Sequence, residues 1–175
     1  MTGALDPARV DVLNAKVRAA LRAADTRAGE ARREKVSWLT PDHDLNPMVR
    51  GGRRLWHTVI MLLRGADRPL DANLRQEVGP ALTAAGTALA LAARALATGM
   101  RANTDDHLHA ALEGASTAVA VLETRMDHLT HSGALGGEGA SLMQLAAAVA
   151  ACAHLQDNLT ELAARLMELR APSSD

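Results

Sequence analysis

Trp38 and Trp56 are the only Phe, Tyr or Trp residues among 175; the chain has no Phe and no Tyr. Without aromatic bulk, a core cannot bridge widely spaced elements. It has to be assembled from Ala, Leu, Val and Met on surfaces that approach closely. Ala-lined helices do this well, reaching interaxial distances near the ~8 Å end of the usual range. Sheets are disfavoured from the same direction, since Ile60 is the only Ile and Val residues rarely cluster. The expected class is all-α, a bundle of about five helices.

A chain of this length makes one domain, or one domain with a helical extension. Its net charge is −1, which argues against a nucleic-acid binder, but the charge is unevenly placed. Residues 1–100 hold 15 basic and 10 acidic residues, a net of +5. Residues 101–175 hold 4 basic and 10 acidic residues, a net of −6. Either the two halves complement each other within one molecule, or they face different partners. Cys152 stands alone among Ala150, Ala151 and Ala153 and reads as a small buried hydrophobe. No secretory signal is visible, because Asp6, Arg9 and Asp11 interrupt the N-terminus. The uncharged stretches 78–93 and 139–156 are broken by Pro80 and Gly86 and by Gln144 and His154. Neither reads as a bilayer span, so the expectation is a cytoplasmic protein with no membrane partner.

Periodicity predicts five helices. The first runs from about Pro7 to Glu34, capped by Asp6, with Val10, Leu13, Val17, Leu21, Ala24 and Ala28 as its apolar stripe. A linker to Asn46 carries Trp38, Pro41 and Asp42-His43-Asp44. Asn46 then caps a second helix, with Pro47 at its first position and Gly65 beyond its end. The pair Gly51-Gly52 either permits close backbone approach or lets this helix start late. A third helix opens at Asp71, bears Leu74, Val78, Leu82, Ala85, Leu89, Ala92 and Leu96, kinks near Pro80 and ends at Gly99. Residues 104–170 read as an antiparallel coiled-coil hairpin, capped by Thr104 with Asp105 and Asp106 at the N-terminal dipole. One arm carries Leu108, Leu112, Ala115, Val119, Leu122, Met126 and Leu129. The other carries Leu142, Leu145, Val149, Cys152, Gln156, Leu159, Leu162, Leu166 and Leu169. The Gly-rich segment 133–139 makes the turn, and residues 171–175 read as a disordered tail.

No catalytic constellation emerges, and no enzyme is expected. His107 and His109 open the fourth helix, and His128 and His131 close it, at least ~28 Å away at 1.5 Å per residue. His128 and His131 could share a metal with Asp127, but a His near a helix C-terminus is also favoured by the dipole alone. The expectation is no metal and no cofactor. The Gly run lacks a following Lys-Ser/Thr and a preceding strand, so it is not a phosphate loop. Ala110-Ala111-Leu112-Glu113-Gly114 is similar to the His-x-Leu-Lys-Gly pattern of histidine phosphotransfer bundles. Ala stands where the phosphorylated His would be, so that similarity implies a phosphate-inert signalling adaptor.

Arg53-Arg54-Leu55-Trp56 lies on the second helix, and Leu70-Asp71-Ala72-Asn73-Leu74-Arg75 opens the third after a short polar loop. This order resembles FlaF, the family of small helical flagellar regulators, over roughly residues 45–98, about a third of the chain. The resemblance implies a three-helix region over residues 1–100 and a non-enzymatic module that binds flagellin and assists its secretion and synthesis. It implies partner-binding roles for Arg53, Arg54, Trp56, Leu70, Leu74 and Arg75. Trp56 also has the character of a packing anchor between helices two and three. The two guanidinium groups either meet carboxylates on a partner or lie on a solvated edge, paired with the acidic C-terminal half. The added hairpin at 104–170 would cover the client groove, replace a client helix, or form a homodimer.

Overall fold

The computed structural model describes residues 6–35, 45–65, 70–102, 104, 107–132 and 139–170. Five helices account for nearly all of them: α1 Pro7–Lys35, α2 Asn46–Gly65, α3 Ala72–Ala102, α4 Leu108–His131 and α5 Gly139–Arg170. No strand occurs among the described residues, and the all-α expectation holds.

The order of packing is set by which helices carry two apolar faces. α5 is the hub, touching α2, α3 and α4. It buries Leu145, Val149 and Cys152, and also Leu155, Leu159, Leu162, Ala163 and Leu166, a wider band than one stripe. α3 and α4 share the most extensive contact. The fully enclosed Ala85 and Ala92 on α3 and Ala115 on α4 contribute the small surfaces that let the two approach. Leu108, Leu122, Leu145 and Leu159 are almost completely enclosed, each burial stabilising by about 1.5–3 kcal/mol.

α2 packs on the far side of α5, and α1 rests on α2 alone. The described helices therefore form an open layered array, with α1 at one edge and the α3–α4 pair at the other. α1 shows its edge position directly. Of its predicted stripe only Ala28 is buried, while Leu13 remains 50% exposed. The periodicity was real, but α2 covers only part of the face it describes.

Gly51 and Gly52 explain how α2 fits between two neighbours. A Cβ on Gly51 would lie 2.6 Å from Leu162 Cδ2 on α5. A Cβ on Gly52 would lie 3.3 Å from Leu21 Cδ2 on α1. Of the two roles open to this pair, close approach is the one it serves, once on each side of the helix.

Helix ends follow the sequence in part. The Asp6 carboxylate accepts from the Ala8 amide at 3.0 Å, and Asp71 accepts from the Asn73 amide at 2.8 Å. α2 begins one residue early, with Leu45 outside the helix and its carbonyl accepting from Val49 at 3.2 Å. Thr104 does not cap α4: the flanking residue is His107, whose side chain makes no capping bond, and the helix starts where Leu108 enters the core. Gly99 does not end α3 either. It is buried, and its carbonyl takes a hydrogen bond from the Arg170 guanidinium at the end of α5. α3 continues as helix through Pro80. Just before it, Arg125 of α4 donates to the Glu77 carbonyl at 3.4 Å and to its carboxylate at 2.7 Å. The 36–44 linker, Asp105, Asp106, the 133–138 turn and the 171–175 tail lie outside the described residues.

By length and composition α3 is apolar enough to cross a bilayer, with a mean hydropathy of 1.4 over its most apolar window. Here it lays Leu74, Val78, Leu89 and Leu96 into the core.

Candidate functional site

α2 is the most strongly amphipathic helix of the five, and both of its lateral faces are occupied. Along the side turned to α1, Trp56 donates from Nε1 to Asn14 Oδ1 at 3.2 Å. About three turns of α1 further on, Arg53 meets Asp25 at 2.9 Å. Asn14, early in α1, meets Trp56, whereas the later Leu21 and Asp25 meet the earlier Gly52 and Arg53, so α1 and α2 are antiparallel. Trp56 anchors α2 to α1; α2 and α3 make no contact among the described residues.

Arg54 points the other way and pairs with Glu161 on α5. The two adjacent guanidinium groups thus join α2 to its two neighbours. Both pairs are about half exposed, so each contributes on the order of 0–1 kcal/mol and is weakened by salt. The remaining candidates sit elsewhere. Leu74 is buried in the core, and Leu70 is half-buried against it, so neither side chain offers a docking face. Arg75 is exposed beside them. Arg53, Arg54 and Trp56 therefore share one helix, while Leu70, Leu74 and Arg75 belong to a separate neighbourhood.

Residues outside the sequence-based set matter more for a surface. Trp56, Ile60 and Leu63 are half-buried along the α1 side of α2, and Met61 is 52% exposed. Val10 and Val17 of α1 are half-buried alongside. The signal for this face was present as the strongly apolar run Val59-Ile60-Met61-Leu62-Leu63, which exceeds what a single buried stripe requires.

A concavity opens between α3 and α4, lined by Pro80, Ala81, Thr117, Val121 and His128, with the Glu77–Arg125 pair at its side. His131 engages the Asp127 carbonyl through Nδ1 at 2.7 Å. Among the described residues no three His, Cys, Asp or Glu side chains converge as a metal site. Cys152 is buried, and burial raises its thiol pKa, which disfavours the nucleophilic thiolate. No family model, curated protein or solved structure matches the chain.

Proposed function

We infer that this chain is a non-enzymatic protein-binding module whose client lies along the α1–α2 layer. The observation that carries this reading is the incomplete cover of that layer. Among the described residues α1 rests on α2 alone, and Val10, Val17, Trp56 and Ile60 stay half-exposed along their junction, with Met61 open beside them. An apolar helical face of this kind receives another amphipathic helix through anchors spaced three and four residues apart. The resemblance of Arg53-Arg54-Leu55-Trp56 and the Leu70–Arg75 segment to FlaF supports flagellin as the client, and a role as its chaperone or regulator. In that reading Trp56 supplies apolar contact and Arg53 borders the client, whereas Arg54, turned to α5, and Arg75, on α3, lie away from it.

The test is calorimetric titration of the protein with flagellin from its own host at moderate salt. Binding at micromolar concentration or tighter is expected, with loss of affinity in Met61→Glu, an exposed position whose change leaves the bundle folded. Reversal of Arg53 and Arg54 is a poorer probe, because both also hold helices together. Absence of heat at every accessible concentration would sink the flagellin assignment.

A further inference from the structure

We propose that a second copy of this chain docks its α4 against α1 of the first, through two exposed rows of opposite charge at opposite edges of the array. The proposal does not depend on the client reading.

The row on α1 is Arg9, Leu13, Lys16, Ala20, Ala23 and Arg27. Its spacing alternates between four and three, which keeps all six on one face, and every one of them is exposed. The row on α4 is Glu113, Ser116, Ala120, Glu123 and Asp127, again spaced three and four and again exposed throughout. Each row sets charges around small side chains, the composition that lets two helices approach closely.

The charges are available. Arg9, Lys16, Arg27, Glu123 and Asp127 make no ion pair among the described residues. Glu113 meets only the exposed His109, at 3.2 Å. Within one molecule the rows do not meet, since among the described helices α1 touches only α2 while α4 touches α3 and α5. α1 carries a net charge of +4 and α4 one of −2, at opposite edges of the described array.

The register also fits. At 1.5 Å per residue, Lys16 and Arg27 lie ~10 and ~27 Å along α1 from Arg9. Read in the opposite direction, Glu123 and Glu113 lie ~6 and ~21 Å along α4 from Asp127. Antiparallel docking brings Arg9 to Asp127, Lys16 to Glu123 and Arg27 to Glu113 with offsets of ~3 Å once the helices are centred, well within the reach of Arg and Lys side chains. The contact is heterologous, α1 of one copy on α4 of the next, so it leaves a free row at each end and need not stop at two copies.

The experiment is sedimentation equilibrium of the full chain over a concentration series, with circular dichroism of each variant to check folding. Wild type is expected to self-associate at low salt. Raising salt from about 0.1 M to about 1 M, which shortens the Debye length from ~10 to ~3 Å, should weaken association about tenfold or more. Arg9→Glu/Lys16→Glu/Arg27→Glu alone, or Glu113→Lys/Glu123→Lys/Asp127→Lys alone, should be monomeric. Mixing these two variants should restore a complex, because each retains the row that the other has lost. A monomer at every concentration would overturn the proposal. So would self-association that survives either reversal, a mixture that stays monomeric, or an association accounted for by co-purified nucleic acid.

Discussion

Replacing Gly51 by Ala sets two opposed effects against each other, and their balance is readable from the structure. Within a helix, Ala is favoured over Gly by about 1 kcal/mol. At Gly51 the new methyl would sit 2.6 Å from Leu162 Cδ2 and 3.1 Å from Leu162 Cγ, about 1 Å inside ordinary contact. Leu162 is only 6% exposed, so it cannot simply swing into water. Forcing a methyl into such a site costs about 1–3 kcal/mol. The net expectation is destabilisation by about 1 kcal/mol. Gly86 and Gly114 provide the control. Both lie within helices, and a Cβ on either meets nothing within 4 Å. Gly86→Ala and Gly114→Ala should each stabilise by about 0.5–1 kcal/mol. Equilibrium urea unfolding measures all three, and in a chain of this size each kcal/mol moves Tm by about 2–4 °C. The pair Gly51→Ala and Leu162→Ala should couple, the double variant losing less than the sum of the single losses, because the new methyl occupies space the leucine has vacated. If Gly51→Ala stabilised the protein as much as Gly86→Ala does, α2 would not lie close against α5, and the glycine would be there for some other reason.

Removing the guanidinium in Arg170→Met should cost about 1–2 kcal/mol by urea unfolding, since its part-buried hydrogen bond to the Gly99 carbonyl is lost. Glu161→Gln should change stability by less than about 1 kcal/mol, an effect that vanishes in molar salt because its pair with Arg54 is half exposed. Trp56→Phe keeps the apolar body and deletes the bond to Asn14; hydrogen exchange should then accelerate in α1 and leave α3–α5 unchanged. Cys152 should resist thiol reagents until the protein unfolds. Because burial raises its folded pKa, the group is neutral in its effect below the unfolded thiol value near ~8.5, and stability falls as pH climbs above that value. A thiol that titrated rapidly in native protein would contradict the burial of Cys152.

The number and class of the helices were legible because periodicity and a lack of aromatic residues speak directly to both. The stripe on α3 was nearly complete, with Leu74, Val78, Ala85, Leu89, Ala92 and Leu96 all buried. Neighbour relations were less legible. Leu155 and Ala163 fall outside the single stripe read on α5, yet both are buried, because this helix is faced from several directions at once. Periodicity reports that a face is apolar without saying how many neighbours share it. α1 shows the converse, a face apolar by pattern and largely open in space. The ends of α3 and α4 were misplaced for a related reason. Gly99 and Thr104 have the local character of a stop and a cap, but a donor from distant Arg170 and the burial of Leu108 decide where the helices run. Arg53 and Arg54 stood out in sequence as adjacent charges; their separate partners on α1 and α5 depend on tertiary placement alone.

The central place of α5 has a consequence for synthesis. It is the last of the described helices in chain order, yet α2 finds its main neighbour there. As the chain leaves the ribosome at about 5–20 residues per second, α2 must wait several seconds with its apolar side uncovered. α3 and α4, adjacent in sequence and mutually apolar, are free to pair during that interval, whereas α1 and α2 can only hold each other. Nascent chains halted before Gly139 should therefore display the Leu55–Leu62 side of α2 to chaperones, and release from them should coincide with the emergence of α5.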